Sequence, residues 1–207
     1  MNEKVLITIS REYGSYGREI GRRLAKRLNI AYYDKEILEN AAEQLGVSKT
    51  FFSDDNLNES GLFSLSGRMN YGLKNLTELS LSTNAYDTAR QIIRDLAAKE
   101  SMVLVGRCAN VILKDEPGII SVYCYGDLED RVRRVIEEYG VPKAHARKVV
   151  LDTDRKRAKF YEYYTHRKWG DIDDFDVSIN TSKRTPEEAV NLLAEVFCEK
   201  QKHLSKA

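Results

Sequence analysis

The stretch from Val5 to Asp34, VLITISREYGSYGREIGRRLAKRLNIAYYD, leaves few folds open to the chain. Val5, Leu6, Ile7 and Ile9 make a short apolar run rich in β-branched residues, the pattern of a strand buried on both faces. Arg11, Gly14, Ser15, Gly17 and Arg18 follow as a polar turn carrying two glycines and two guanidinium groups. From Glu19 the period becomes helical: Ile20, Leu24 and Leu28 recur at one spacing, with Arg22, Arg23, Lys26 and Arg27 between them. A strand that feeds a glycine turn and then a helix N-terminus gathers free backbone N–H groups at the positive end of the helix dipole. Such a place suits an anion, phosphate above all.

Beyond Ile30–Asp34, a second short strand ending in a carboxylate, the periodicity predicts a helix from Lys35 to Leu45. Residues 47–85 are the least regular part: a polar loop over 53–61, then leucines mixed with Ser, Gly and Asn, read as one or two helices on a mobile lobe within the domain. Tyr86–Lys99 is amphipathic, Met102–Val105 and Ile119–Tyr125 are buried-type strands, and Leu128–Tyr139 and Lys143–Tyr163 are helices. Val177–Asn180 is a last strand, and Thr185-Pro186-Glu187-Glu188 is a helix start. Strands alternating with helices predict an α/β fold, a three-layer parallel sheet wrapped by helices, in one domain over residues 1–207.

At 207 residues and net charge +1 the chain has no bulk electrostatic case for nucleic acid or a membrane surface, so anion binding must come from local clusters. No apolar run reaches membrane-span length, and MNEKVLITIS lacks the form of a signal peptide. Three separated cysteines without a C-x-x-C pair fit a reducing cytoplasm better than a disulfide or zinc framework. His145, His166 and His203 have no spacing suited to a metal or a triad.

The usual phosphate loop, G-x-x-x-x-G-K-[ST], wraps phosphates with backbone, bridges the terminal ones with lysine and holds Mg²⁺ with a hydroxyl. Aligned by glycine spacing, this chain has Arg18 at the lysine and Glu19 at the hydroxyl. Aligned by helix register, it has Gly17 at the lysine and Arg18 at the hydroxyl. Lysine and hydroxyl are missing either way. On the loop alone, phosphate binding and a plain strand-to-helix turn with solvated arginines stand level.

ITISREYGSYGREIGRRLAKRLNIAYYDKEIL resembles the start of the cytidylate kinase-like family, an offshoot of the cytidylate kinases within the P-loop nucleoside monophosphate kinases. VLVGRCANVIL, DTDRKRAKFYEYY and FDVSINTSKRTPEEAVNLL fit the same family in order, so the likeness runs over nearly the whole chain. It implies a core sheet, an acceptor lobe over 47–85 and a lid over 140–170. It also implies ATP as cofactor with Mg²⁺ between two nucleotides, and CMP, dCMP or a related monophosphate as acceptor. Gly14, Ser15 and Gly17 would supply backbone donors to ATP, and Arg18, with Arg11 nearby, would replace the missing lysine. Asp34 stands at the mouth of the acceptor site and Arg107 meets the acceptor phosphate, with Arg90 a further candidate. Asp154, Arg155 and Arg157 match the D-R-x-R of the lid, where arginine forks bind phosphate oxygens in pairs. The family's base-reading aspartate is replaced by Cys108, which leaves cytosine specificity open.

Two other classes stand beside the kinase: a nucleotide-binding but catalytically silent sensor, and a small-molecule kinase on the same fold. The residues assign no protein ligand to the metal. The middle lobe is open to two roles, binding substrate or pairing two copies into a homodimer.

Overall fold

The computed structural model describes residues 4–44 and 74–206. Five strands form one wholly parallel sheet: β1 (Leu6–Arg11), β2 (Ala31–Tyr33), β3 (Met102–Val105), β4 (Ile119–Tyr125) and β5 (Val177–Asn180), in the spatial order β2-β3-β1-β4-β5. The apolar runs of β1, β3 and β4 are buried on both faces, as a central parallel strand requires. Helices cover both sides. α1 (Gly17–Leu28) and α7 (Pro186–Leu204) close one face over Ile7, Ile9, Val103, Val105 and Val122. α2 (Lys35–Gln44), α3 (Lys74–Lys99) and α4 (Ala109–Ile112) lie with the other face, where Leu38, Ile93 and Ile112 pack on Leu6, Met102 and Leu104. α5 (Leu128–Glu137) and α6 (Lys143–Thr165) pack together and bridge from β4 to β5.

The expected α/β three-layer sheet is the observed one. The helix foreseen from Tyr86 begins at Lys74, so the second part of the middle segment is helical backbone. The polar loop and residues 45–73 lie outside the described residues. α4 and a 3₁₀ turn at Ile172–Asp174 are additions, each too short for periodicity to show. The start of α7 is as expected: Thr185 and Glu188 form a reciprocal capping box with Pro186 in the first turn.

In this strand order the chain leaves β1 toward one edge for β2 and β3 and crosses to the other side for β4 and β5. Ligands of such sheets bind outside the carboxyl ends of the strands at that switch point. Four segments meet there: the loop after β1, Asp34–Glu36 after β2, Gly106–Cys108 after β3, and Gly126 after β4.

Candidate active site

The loop Glu12–Tyr16 is shaped from behind. Arg131 and Arg134 on α5 are buried, and their guanidinium groups donate to the carbonyls of Tyr13 and Gly14, each at 3.2 Å. In a planar trans peptide the next N–H points the opposite way, so anchoring the Tyr13 carbonyl turns the Gly14 N–H away from α5. Gly14 has φ 77°, and a Cβ there would sit 2.8 Å from the Arg131 carbonyl. At Gly17 a Cβ would lie 2.5 Å from Arg11 Cβ, because α1 starts directly against the end of β1. These two contacts explain the glycine spacing. Among the described residues the amides of Gly14, Tyr16, Gly17, Arg18 and Glu19 make no hydrogen bond. They face the setting that α1's dipole makes favourable to an anion.

This loop walls a cavity of about 690 Å³ that also touches Arg11, Arg18, Arg22, Asp34, Lys35 and Arg157. A second cavity, about 260 Å³, adjoins it and shares Arg11, Lys35 and Arg157. Its other walls are Ser10, the turn Gly106–Cys108, Thr153 and Lys156, with Phe160, Tyr161 and Trp169 as an aromatic side. Its described lining holds five cationic side chains (Arg11, Lys35, Arg107, Lys156, Arg157) and no carboxylate. Gly106, Arg107 and Cys108 have φ 83°, 59° and 56°, three left-handed residues in succession. For the two non-glycines that conformation costs about 1–2 kcal/mol each. It is kept at the carboxyl end of β3, where Arg107 lies 5.6 Å above the Phe160 ring.

Arg157 stands at the join of the two cavities. It donates to the Arg11 carbonyl at 3.1 Å, and its guanidinium lies 5.5 Å over the Tyr13 ring. Arg18 is tied to two acids: Nε to Asp34 Oδ2 at 2.9 Å and Nη2 to Glu36 Oε2 at 2.8 Å. Asp34 is 5% exposed, and its carboxylate also accepts from Tyr32 Oη at 3.2 Å and Ile37 N–H at 3.3 Å. Asp34 thus caps α2 and anchors Arg18 together. Those two acids hold the Arg18 pKa above its ordinary value, Glu36 by its hydrogen bond most of all.

The structure does not bring every expected residue to these cavities. Ser15 lines the larger one but its hydroxyl is turned inward, 2.8 Å from the Glu12 carbonyl and 3.0 Å from that of Cys124, and its N–H points back at Glu12. Asp154 accepts from the Tyr13 N–H at 2.7 Å and pairs with Arg131 at 2.5 Å, so it holds the loop to α6. Arg155 is on the exposed side of α6, paired with Asp152 at 2.7 Å, and Arg90 is exposed on α3; neither lines either cavity. Lys35, Lys156, Arg131 and Arg134 went unassigned in the sequence. Lys35 had a usable signal, standing next to Asp34 at a strand end; the two α5 arginines had none, because a basic helix face ordinarily points to water.

Among the described residues the acids and hydroxyls beside the loop are engaged with other groups. The four acids of the larger cavity's described lining are each paired with arginine: Glu12 with Arg131, Glu19 with Arg23, and Asp34 and Glu36 with Arg18. The hydroxyl nearest the loop, Ser15, is buried on carbonyls. No cluster of three His, Cys, Asp or Glu among the described residues could hold a metal.

Comparison with known proteins sets this geometry in a lineage. An uncharacterized protein from Eubacterium ventriosum has a solved structure that superposes with TM-score 0.70 at 28% identity, covering 94% of this chain and 98% of that one. A gluconokinase from Sinorhizobium meliloti (TM-score 0.55, 12% identity, 99% and 98% covered) and a shikimate kinase from Acinetobacter baumannii (0.53, 14%, 96% and 95%) share the fold. A uronate isomerase of Corynebacterium glutamicum is 29% identical over 114 residues, 54% of this chain. The chain spans only 22% of that relative's length. The family model described as the cytidylate kinase-like family matches residues 6–183, from the first strand through the last, and the chain belongs to that family.

Proposed function

We propose that this protein is a phosphotransferase that moves the γ-phosphoryl group of ATP, seated at residues 12–18, to a small anionic acceptor seated at Gly106–Arg107. The observation that carries this reading is the pair of adjoining cavities with Arg11, Lys35 and Arg157 common to both. Phosphoryl transfer asks a protein chiefly for position and for positive charge where the transferring group spreads its negative charge. Arg157, oriented by the Arg11 carbonyl and the Tyr13 ring, stands where that charge would pass. Arg107 and Lys156 hold the acceptor, and the loop amides with Arg18 hold the donor.

The acceptor is a monophosphate, CMP or dCMP being the members the family description suggests. A phosphate acceptor brings its own oxyanion as nucleophile, whereas an alcohol has to give up a proton. The smaller cavity's described lining has no carboxylate or histidine to take one, and its Tyr161 hydroxyl is engaged with Asn110 and Asp174. That favours a phosphate over the alcohols of a sugar-acid kinase. Cys108, a buried thiol, is no substitute for a base-reading carboxylate, so relaxed base preference is expected.

The test is ADP formation from ATP across CMP, dCMP, UMP, AMP, shikimate and gluconate. Turnover with pyrimidine monophosphates is expected, and Arg107→Ala should raise the acceptor KM by about tenfold or more with little change in melting temperature. Turnover restricted to an alcohol acceptor, or ATP binding without any turnover, overturns the proposal.

A further inference from the structure

Three residues make the aromatic side of the smaller cavity, and they are not equivalent. Tyr161 is 3% exposed, and its hydroxyl accepts from Asn110 Nδ2 at 2.9 Å and donates to Asp174 Oδ2 at 3.2 Å. Phe160 lies under the Arg107 guanidinium and 4.9 Å from the Tyr164 ring. Trp169 is half-buried and lines the cavity. Among the described residues its ring contact is a single T-shaped one with Tyr123, centroids 5.9 Å apart and planes at 88°. Such a contact occupies at most one face of the indole. We propose that Trp169 is the platform on which the acceptor's planar base stacks, so that the site selects a nucleotide by its ring rather than by its base edges.

Trp169 stands on the return from α6 to β5, and the backbone around it is held on both sides. At Gly170, with φ 76°, a Cβ would lie 2.7 Å from the Tyr123 hydroxyl, so the chain beside Trp169 rests directly on a β4 side chain. Further on, Asp174 accepts from Tyr161 and pairs with Arg167, and Phe175 stacks on Tyr123 with centroids 5.0 Å apart. A wall fixed in this way before the ligand arrives loses little freedom on binding. The same cavity carries Arg107 and Lys156, so charge for a phosphate and a surface for a ring lie in one place. Stacking uses the π-face that every base has and tolerates which base it is. That agrees with a turn in which a thiol, Cys108, stands in place of a base-reading carboxylate. A sugar phosphate has no π-face to offer. The platform presupposes that the smaller cavity is the acceptor site, and the experiment separates the two.

Trp169 is the chain's one tryptophan, so its emission reports on this wall alone. The full chain is titrated with CMP, AMP and ribose 5-phosphate, followed by calorimetry and by fluorescence. Both nucleotides are expected to bind about tenfold or more tighter than ribose 5-phosphate. They should also quench the Trp169 emission, which ribose 5-phosphate leaves unchanged. Trp169→Leu should bring the nucleotides down to the level of ribose 5-phosphate, whose own affinity stays within about twofold and shows the cavity intact. Trp169→Phe keeps an aromatic face and should retain part of the difference. CMP bound equally tightly by the wild type and by Trp169→Leu overturns the platform and leaves the acceptor site standing. An equal loss for all three ligands makes Trp169 a structural residue and overturns the platform as well. If none of the three binds the wild type, the acceptor reading fails and the platform falls with it.

Discussion

Glu12 stands where the chain leaves β1, its carboxylate accepting from the Gly126 N–H at 3.0 Å and lying 3.2 Å from Arg131 Nε. Burial raises its pKa above the ordinary 4.5, outweighing the pull of the Gly126 hydrogen bond and of Arg131 in the other direction. A carboxyl raised in this way stays protonated in the folded chain at pH values where the unfolded chain has released the proton. Its contribution to stability is therefore most favourable below 4.5 and declines as pH climbs through the folded-state value. Comparing urea unfolding of the wild type with Glu12→Gln, from about pH 4 to about pH 7, should show the wild-type-minus-variant stability falling with pH. A flat or rising difference would contradict the assignment. Sequence spacing pointed to the glycines of this loop, and they are where its geometry demands them. It gave no role to the Glu12 carboxylate, whose partners Gly126 and Arg131 lie more than a hundred residues away.

Among the elements, α6 decides how the loop is held. Asp154 joins three pieces of chain: it accepts from Tyr13 in the loop and pairs with Arg131 of α5, while standing on α6. Asp154→Asn keeps an acceptor for Tyr13 but strips a mostly buried arginine of one of its two charged partners. A loss of about 3 kcal/mol is expected, read as a lower unfolding midpoint in urea. Arg155→Ala, cutting an exposed pair with Asp152, should stay within about 0.5 kcal/mol and serves as the contrast. The D-R-x-R pattern had grouped Asp154, Arg155 and Arg157 as one nucleotide-binding set. On a helix, neighbours point about 100° apart, so Arg155 faces away while Asp154 and Arg157 share a side. The clue was present: Ala146, Val150, Asp154, Arg157 and Tyr161 repeat at helical spacing, and the apolar members are the buried ones. Charged residues within the stripe hid it, because burial of Asp and Arg is the exception that only a partner on another element makes possible.

At the scale of the whole molecule, ligand and fold are linked. A polyphosphate that binds only the folded chain, supplied at about a hundred times its Kd, adds roughly 2.7 kcal/mol. For a chain of this size that is a rise of about 5–10 °C in melting temperature. No shift with saturating ATP or tripolyphosphate would leave the larger cavity without its assigned ligand. The amino-acid order determined the sheet and the helices over it, because burial on two faces demands apolar runs and burial on one face demands a helical stripe; β3, β4 and β5 lie where those patterns put them. It also determined the strand–turn–helix of residues 6–28, since the backbone there depends on glycines at two positions. Which arginines hold the loop from behind, which one bridges Asp34 and Glu36, and which three side chains are shared by both cavities were decided only in three dimensions. Each depends on segments brought together at the carboxyl edge of the sheet, and a charge far away along the chain leaves no periodic trace in the sequence.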